Sequence, residues 1–314
     1  MRLKVGSLCT GYGGLEMGLE QAFGSIDLRF VSDIDKNVNK VLAHHHPNIP
    51  NLGDLKSIDW GTQDSIDVLC AGYPCQPFSE AGQRKGDNDE RAIFGYIADG
   101  IGVLRPRYLL LENVSGHLTL GGVGVIAELT RLGYDCRWGI VRASDAGAPH
   151  LRARLFIWGI LKDTSGCGPS ETKTAESQDS EGPSRQVRLP RPVGALTTTN
   201  QREVLADTIG LGPQKPRTEY RLEETPEPCE FSQYGAYEST IRRWASIRGN
   251  PPPPIDDRGV EPAFLEWLMG LPLGYVSEVI ESRSAMVRIL GNGVVPQQAA
   301  LALRILTHGV QWGC

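Results

Sequence analysis

Through about residue 160 the chain alternates short apolar runs with segments whose apolar positions recur at helical spacing. "LKVGSLC", "LRFVSD", "DVLCA", "RYLLLE", "YDCRWGIV" and "RLFIWGI" read as strands, several of them apolar on both faces, as buried strands are. Between them Leu15, Leu19 and Phe23 recur every fourth residue, and Val125, Ile126, Leu129 and Leu132 form a second stripe. Strands alternating with helices predict right-handed βαβ units and a parallel sheet, which is an α/β fold.

The pattern breaks near Asp163. From there to about Pro228 the chain is rich in Ser, Thr, Gly, Pro and Glu with little periodicity. "LKDTSGCGP" and "LADTIGLGP" share L-x-D-T-x-G-x-G-P, which reads as a duplicated loop or small strand unit. Aromatic and basic residues return in "SQYGAYESTIRRWASIRGNPPPP", and globular order resumes with "EPAFLEWLMGLPLGY". "GNGVVPQQAALALRIL" predicts a terminal helix. The expected organisation is a regular domain over 1–160, a smaller irregular insert over 161–257, and a return segment over 258–314 whose helix packs on the first domain.

Composition narrows the class. The 314 residues are 40% hydrophobic and 22% charged, ordinary for a globular protein and ample for a core. No apolar run approaches the roughly 18 residues of a membrane span, and the N-terminus enters a strand-like run without a signal-peptide apolar stretch. Seven scattered cysteines with no C-x-x-C pair argue against a disulfide framework or a zinc site, so no metal and a reducing cytoplasm are expected. A net charge of −5 excludes coating nucleic acid by bulk charge but leaves room for a local basic face. Arg131, Arg137, Arg142, Arg152 and Arg154 form one arginine-dense region, and Arg242, Arg243 and Arg248 another; solvated surface and phosphate contact explain such groups about equally well.

The candidate chemistry sits at strand ends. In "SLCTGYGGLEMGLE", Gly11, Gly13 and Gly14 allow a sharp turn and close approach of a ligand to a helix N-terminus. Asp33 and Asp35 follow the next strand, where nucleoside-binding folds place a ribose carboxylate, although either could cap "KNVNKVL". Asp54 is an adenine contact or a turn residue. Cys75, between Pro74 and Pro77, follows the third strand, where open α/β sheets keep their active sites. The polar stretch "SEAGQRKGDNDER" after it has the length of a mobile loop. Glu112 and Asn113 end the next apolar run; a carboxyl there should have a raised pKa, which suits proton donation. Arg152 and Arg154 alternate, so both face one side of a strand.

The glycine loop, "PCQ", "ENV", "R-x-R" and "GNGV", in this order, strongly resemble those of the DNA cytosine-5 methyltransferases over roughly residues 3–160 and 258–306. "PAFLEWLMGLP" is similar to bacteriophage and prophage members. The resemblance implies a Rossmann-like methyltransferase sheet with a smaller, irregular target-recognition domain, and S-adenosylmethionine as cofactor. It assigns Cys9, Thr10, Gly11, Gly13 and Gly14 to the cofactor, with Asp33 on the ribose hydroxyls and Asp54 on the adenine. Ile34, Leu55, Gly72, Pro74, Asn292 and Val294 complete that site. Cys75 becomes the nucleophile at cytosine C6. Glu112 becomes the acid at N3, with Arg152 and Arg154 beside it and Asn113 steadying the loop. Gln76, Ser79, Arg84, Arg91, Arg242 and Arg243 are the expected DNA contacts. Three positions depart from the family: Cys9 stands for phenylalanine, His150 for glutamine, and Asp33 for glutamate.

The implied partner is duplex DNA with a flipped cytosine, since the target atom is inaccessible in the stack. A monomer without membrane attachment is expected, and a companion restriction endonuclease is compatible. A tRNA cytosine-5 methyltransferase is the alternative on the same scaffold. A nicotinamide oxidoreductase would explain the glycine loop and Asp33 but not "PCQ", "ENV" or the arginine pair. A catalytically dead DNA-binding relative would not need every reacting group that the chain retains.

Overall fold

The computed structural model describes residues 2–74, 91–162 and 231–308. Cys75, Gln76, Ser79, Arg84, the stretch after Cys75, and residues 163–230 of the insert, with its L-x-D-T-x-G-x-G-P repeat, lie outside the described residues. Each apolar run read as a strand is one: β1 (Lys4–Leu8), β2 (Asp27–Phe30), β3 (Val68–Gly72), β4 (Tyr108–Val114), β5 (Tyr134–Val141) and β6 (Arg154–Leu161). They form one sheet in the order β2-β1-β3-β4-β6-β5.

The period of two along these strands builds two cores. Leu69, Ala71, Leu109, Leu111, Leu155 and Ile157 face one side, where they meet Ile97 and Ile101 of α3 (Arg91–Leu104) and Val125 and Leu129 of α4 (Val123–Arg131). Val68, Cys70, Tyr108, Leu110, Phe156 and Trp158 face the other side. There they meet Leu15 and Leu19 of α1 (Gly14–Phe23), together with Ala299, Leu303 and Leu306 of a C-terminal helix. Fully burying such side chains stabilises by roughly 1.5–3 kcal/mol each, so apolar residues on both strand faces require helices on both sides.

The sheet is not wholly parallel as expected. The β1, β2, β3 and β4 pairings are parallel, but β6 runs antiparallel to both β4 and β5. The reason is the connection. Residues 142–153 contain only a 3₁₀ turn, Ala143–Ala146, and no crossover helix. Parallel neighbours need a crossover of a dozen or more residues, usually helical, so the chain turns back on itself.

After α2 (Lys36–His45), which follows β2, the remaining described helices come late: α5 (Glu238–Arg248), α6 (Pro262–Leu268), α7 (Arg283–Asn292) and α8 (Pro296–Thr307), with a short hairpin of β7 (Ile255–Asp256) and β8 (Gly259–Val260) before α6. Residues 231–308 pack into the same compact unit as 2–161. Trp244 of α5 is fully buried and donates its indole N–H to the Trp267 carbonyl at 2.8 Å; Trp267 donates to the Gly249 carbonyl at 3.0 Å. α8 packs on α1 and β5. No helix among the described residues is long and apolar enough to cross a membrane.

Candidate active site

The C-terminal ends of β1, β3 and β4 share one sheet edge, where open α/β sheets bind ligands. Because β6 is antiparallel, its first residue, Arg154, arrives at that same edge opposite Val114. A cavity of about 480 Å³ opens there, within the usual range of roughly 300–1,000 Å³ for small-molecule sites. Cys9, Thr10, Gly11 and Gly14 of the glycine loop line it, with Asp33, Ile34, Asp54 and Leu55 beside them. So do Gly72, Pro74, Glu112, Asn113 and Arg154, and Asn292 and Val294 from the C-terminal segment.

The glycine loop owes its path to specific needs. Gly11 has φ +57, a conformation costly for a side chain, and its N–H donates to Asp33 Oδ2 at 3.0 Å. Gly14 packs so close to the Val294 carbonyl that a Cβ would collide with it. Gly13 does not line the cavity; it is the left-handed residue preceding α1. Cys9 holds φ +49 without being glycine, one of three such residues among those described; Arg152 is another, with φ +35 just before β6, so it does not share a strand face with Arg154 as its spacing predicted. Backbone strain of this kind collects at functional sites. Burial, reinforced by Asp33, pushes the Cys9 thiol up to about 12. It is therefore a neutral lining group and not a nucleophile.

The two acidic candidates after β2 divide the work. Asp35 caps α2, accepting the N–H groups of Asn37 at 2.8 Å and Val38 at 3.2 Å. Asp33 instead accepts from Gly11 and Asp35, and burial raises its pKa above the ordinary carboxylate value despite those donors. Asp54 faces the cavity and also serves as the turn residue, accepting the Lys56 N–H at 3.0 Å.

Glu112 is 8% exposed, and its Oε1 lies 3.0 Å from Arg154 Nε. Burial raises the carboxyl to about 7; Arg154, then Arg152, pull it down but less strongly. Glu112 is thus divided between acid and anion near neutrality, the range suited to general acid catalysis. Asn113, 3% exposed, donates Nδ2 to the Tyr73 carbonyl at 3.1 Å and accepts the Val114 N–H at 2.8 Å. It ties the end of β4 to the residue two before Cys75. The Tyr73 hydroxyl meets His117 Nε2 at 3.0 Å.

The arginines have specific partners. Arg152 donates to the Gly291 carbonyl at 2.8 Å and to the Gly293 carbonyl, so it anchors the "GNG" turn between α7 and α8. His150, where the family has glutamine, bonds the Leu268 carbonyl through Nε2 at 3.0 Å. Arg131 pairs with Glu128, and Arg137 donates to the Leu306 and His308 carbonyls at the end of α8. Arg242 pairs with Glu238 at 2.7 Å and lies over the Phe231 ring. Arg243 donates to the Gly147 and Ala148 carbonyls, and Arg248 to that of Leu271. Arg91 begins α3. No group of metal-ligating side chains occurs among the described residues.

A family model for C-5 cytosine-specific DNA methylases matches residues 3–306. The chain belongs to that family. The methylase is 28% identical over 318 residues to the type II methyltransferase M.NlaX of Neisseria lactamica, covering 95% of each chain. It is 32% identical over 177 residues to M.NlaIV from the same organism, a match spanning 51% of this chain and 42% of the relative. The fold is similar to that of S. pombe Dnmt2 methyltransferase (TM-score 0.61, 18% identity, 99% and 100% of the two chains). It is also similar to that of an E. coli prophage-encoded chain described as a DNA modification methyltransferase (TM-score 0.57, 20% identity, 96% and 97%).

The methylase's cavity suits a methyl donor built on a nucleoside. Gly11 leaves open space where a Cβ would stand, Asp33 presents a carboxylate, and Ile34 is an apolar side chain 72% exposed at the same place. Sequence reasoning did not select Ser32, Tyr73, Val114, Arg288 or Gly293, all of which line the cavity. Nor did it select Gln298, fully buried, which donates to the Val141 and Arg152 carbonyls and closes the 142–152 loop. The "PQQ" after "GNGVV" was the signal at hand.

Proposed function

We propose that this methylase transfers a methyl group from S-adenosylmethionine to C5 of cytosine within a specific duplex DNA sequence, with Cys75 as nucleophile and Glu112 as acid. The observation that carries the reading is the buried Glu112 carboxyl at the end of β4, paired with Arg154 and opening on the cavity formed by the glycine loop and Asp33.

Cytosine C5 is too electron-poor to attack a methyl donor directly. In the proposed step the Cys75 thiolate bonds to C6 while Glu112 delivers a proton to N3, which makes C5 electron-rich. S-adenosylmethionine, when bound, supplies the methyl as an electrophilic sulfonium substituent. C5 would take that methyl, its bond to sulfur breaking to leave a neutral thioether; C5 then loses its proton to a base or water, the Sγ–C6 bond breaks to release the thiolate, and the N3 proton returns to Glu112. Arg154 holds the Glu112 carboxyl in place, and Asn113 holds the Tyr73 backbone. Cys9, Thr10, Gly11 and Gly14 would bind the donor's methionine portion, with Gly13 shaping the turn into α1, Asp33 would hold its ribose, and Ile34, Asp54 and Leu55 its adenine. Gly72, Pro74, Asn292 and Val294 would complete the enclosure.

The reading extends to the rest of the chain. The segment 161–257 would contain the target-recognition region, and Gln76, Ser79, Arg84, Arg91, Arg242 and Arg243 would approach DNA. The enzyme would act as a monomer in the cytoplasm of a bacterial or phage-infected cell, with or without a companion endonuclease.

Trapping tests the chemistry. Duplex DNA carrying 5-fluorocytosine should form a covalent complex with the wild-type chain in the presence of S-adenosylmethionine, with the linkage mapped to Cys75. Cys75→Ser should form none while still binding the donor. Retained methylation by Cys75→Ser would remove Cys75 from the mechanism.

A further inference from the structure

Two stretches of chain far apart in sequence wall the cofactor cavity. One is the turn from β2 into α2, with Asp33, Ile34 and Asp35; the other is the second half of α7, with Arg288, Ile289 and Asn292. They are joined directly. Arg288 Nη1 donates to Asp35 Oδ2 at 2.6 Å across 253 residues of sequence.

The carboxylate in this pair is fixed. Its other oxygen, Oδ1, is committed to the Asn37 and Val38 N–H groups as the α2 cap. The Asp35 N–H donates to Asp33 Oδ1 at 2.9 Å, so the carboxylate assigned to the ribose and the one holding Arg288 belong to one rigid turn. The Arg288 side chain is 50% exposed and that of Asp35 25%, which puts the pair at the mouth of the cavity and not in its floor. Deeper in, Tyr12 already ties the glycine loop to the Val294 carbonyl at 2.7 Å, and Arg152 ties the segment before β6 to the end of α7. Those bonds sit within the packed interior and need not change when a ligand enters.

We propose that the Arg288–Asp35 ion pair is a clasp that retains the cofactor, closing α7 against the β2–α2 turn and slowing release of the bound molecule. The inference rests on reading this cavity as the S-adenosylmethionine site. Its effect is kinetic and moderate: partly exposed pairs contribute up to about 1 kcal/mol, which corresponds to about a fivefold change in a rate or affinity. Both residues act through each other as positioning groups.

The test is the dissociation rate of S-adenosylmethionine from the full chain, measured by displacement at low ionic strength. Asp35→Asn keeps the α2 cap acceptor and removes the charge; Arg288→Gln removes the other partner. Each should speed release about three- to fivefold, and the double variant no more than either alone. Raising salt should speed release from the wild type and leave the variants unchanged, because screening removes only what they already lack. Arg288→Lys should recover part of the slow release, and unliganded melting temperatures should stay close to wild type. Wild-type release in both variants, or additive effects, would overturn the clasp. Faster release in Arg288→Gln alone would overturn it too, since Arg288 would then be touching the ligand itself. Failure of the wild type to bind S-adenosylmethionine at all would instead strike the reading of the cavity.

Discussion

Arg154 reaches Glu112 diagonally across the antiparallel β4–β6 pair, with Nε 3.0 Å from Oε1. Glu112 stands opposite Phe156, and Arg154 opposite Val114 two residues on, so both side chains lie on one face of the sheet. The contact depends on β6 running backward. A parallel β6 would have taken Arg154 to the opposite edge, away from the cavity.

In the proposed mechanism Glu112 has to carry its proton when the base arrives. With its carboxyl raised to about 7 by burial, covalent-adduct formation should decline with one-proton dependence as pH rises above that value. Glu112→Gln should lower the methylation rate by at least roughly 10²-fold, the usual scale for a lost general acid. Donor affinity measured by calorimetry should persist. A near-normal rate would remove Glu112 from the chemistry.

Arg154 is the largest charge opposing the burial of Glu112. Arg154→Met should therefore raise the carboxyl further and move the alkaline decline of the pH profile upward. A profile unmoved, or moved downward, would mean that the pair is not coupled in the working enzyme.

Glu16 tests the cofactor loop from below. Glu16 is 4% exposed, and Ser7 beside it donates its hydroxyl to Thr10 Oγ1 at 3.0 Å. Burial raises its carboxyl from 4.5 to about 7. A folded pKa above the unfolded one means stability present at low pH and lost as pH rises through about 7. Glu16→Gln should be more stable than wild type at pH 8 by about 3 kcal/mol on the linkage scale. The gap should close as pH falls toward 4.5, and urea titrations across that range read it.

Asn113→Ala would remove the bond Asn113, 3% exposed, gives the Tyr73 carbonyl and the one it takes from the Val114 N–H. Losing a hydrogen bond at a buried side chain costs about 1–3 kcal/mol. Urea unfolding should show a loss of that size, and trapping on 5-fluorocytosine DNA should slow more than donor binding weakens. Equal losses in both would assign Asn113 to general stability.

The strands were legible because burial on two faces leaves runs such as "RYLLLE" that few other elements tolerate. Direction was not legible in "RLFIWGI", since a two-face buried strand has the same apolar pattern either way up. The information lay in the 142–153 connection, too poor in helical periodicity for a crossover. At the site, Glu112 and the glycine loop could be found because strand ends in an α/β sheet converge. Asp33 and Asp35 could not be told apart, because the cap and the ligand-facing carboxylate differ by the bend of a single turn. The arginine groups stayed ambiguous in the sequence for a different reason. Charge is visible in a sequence, but the carbonyls that Arg137, Arg152 and Arg248 bond belong to helix ends and loops brought near by folding. Arg288 was silent until α7 lay beside α2.

The most direct test of the account is transfer of tritiated methyl from S-adenosylmethionine to duplex DNA and to tRNA, followed by nucleoside analysis. The account predicts label in 5-methylcytosine from duplex DNA, within one recurring sequence. Label confined to tRNA, or to another atom or base of the DNA, would contradict it.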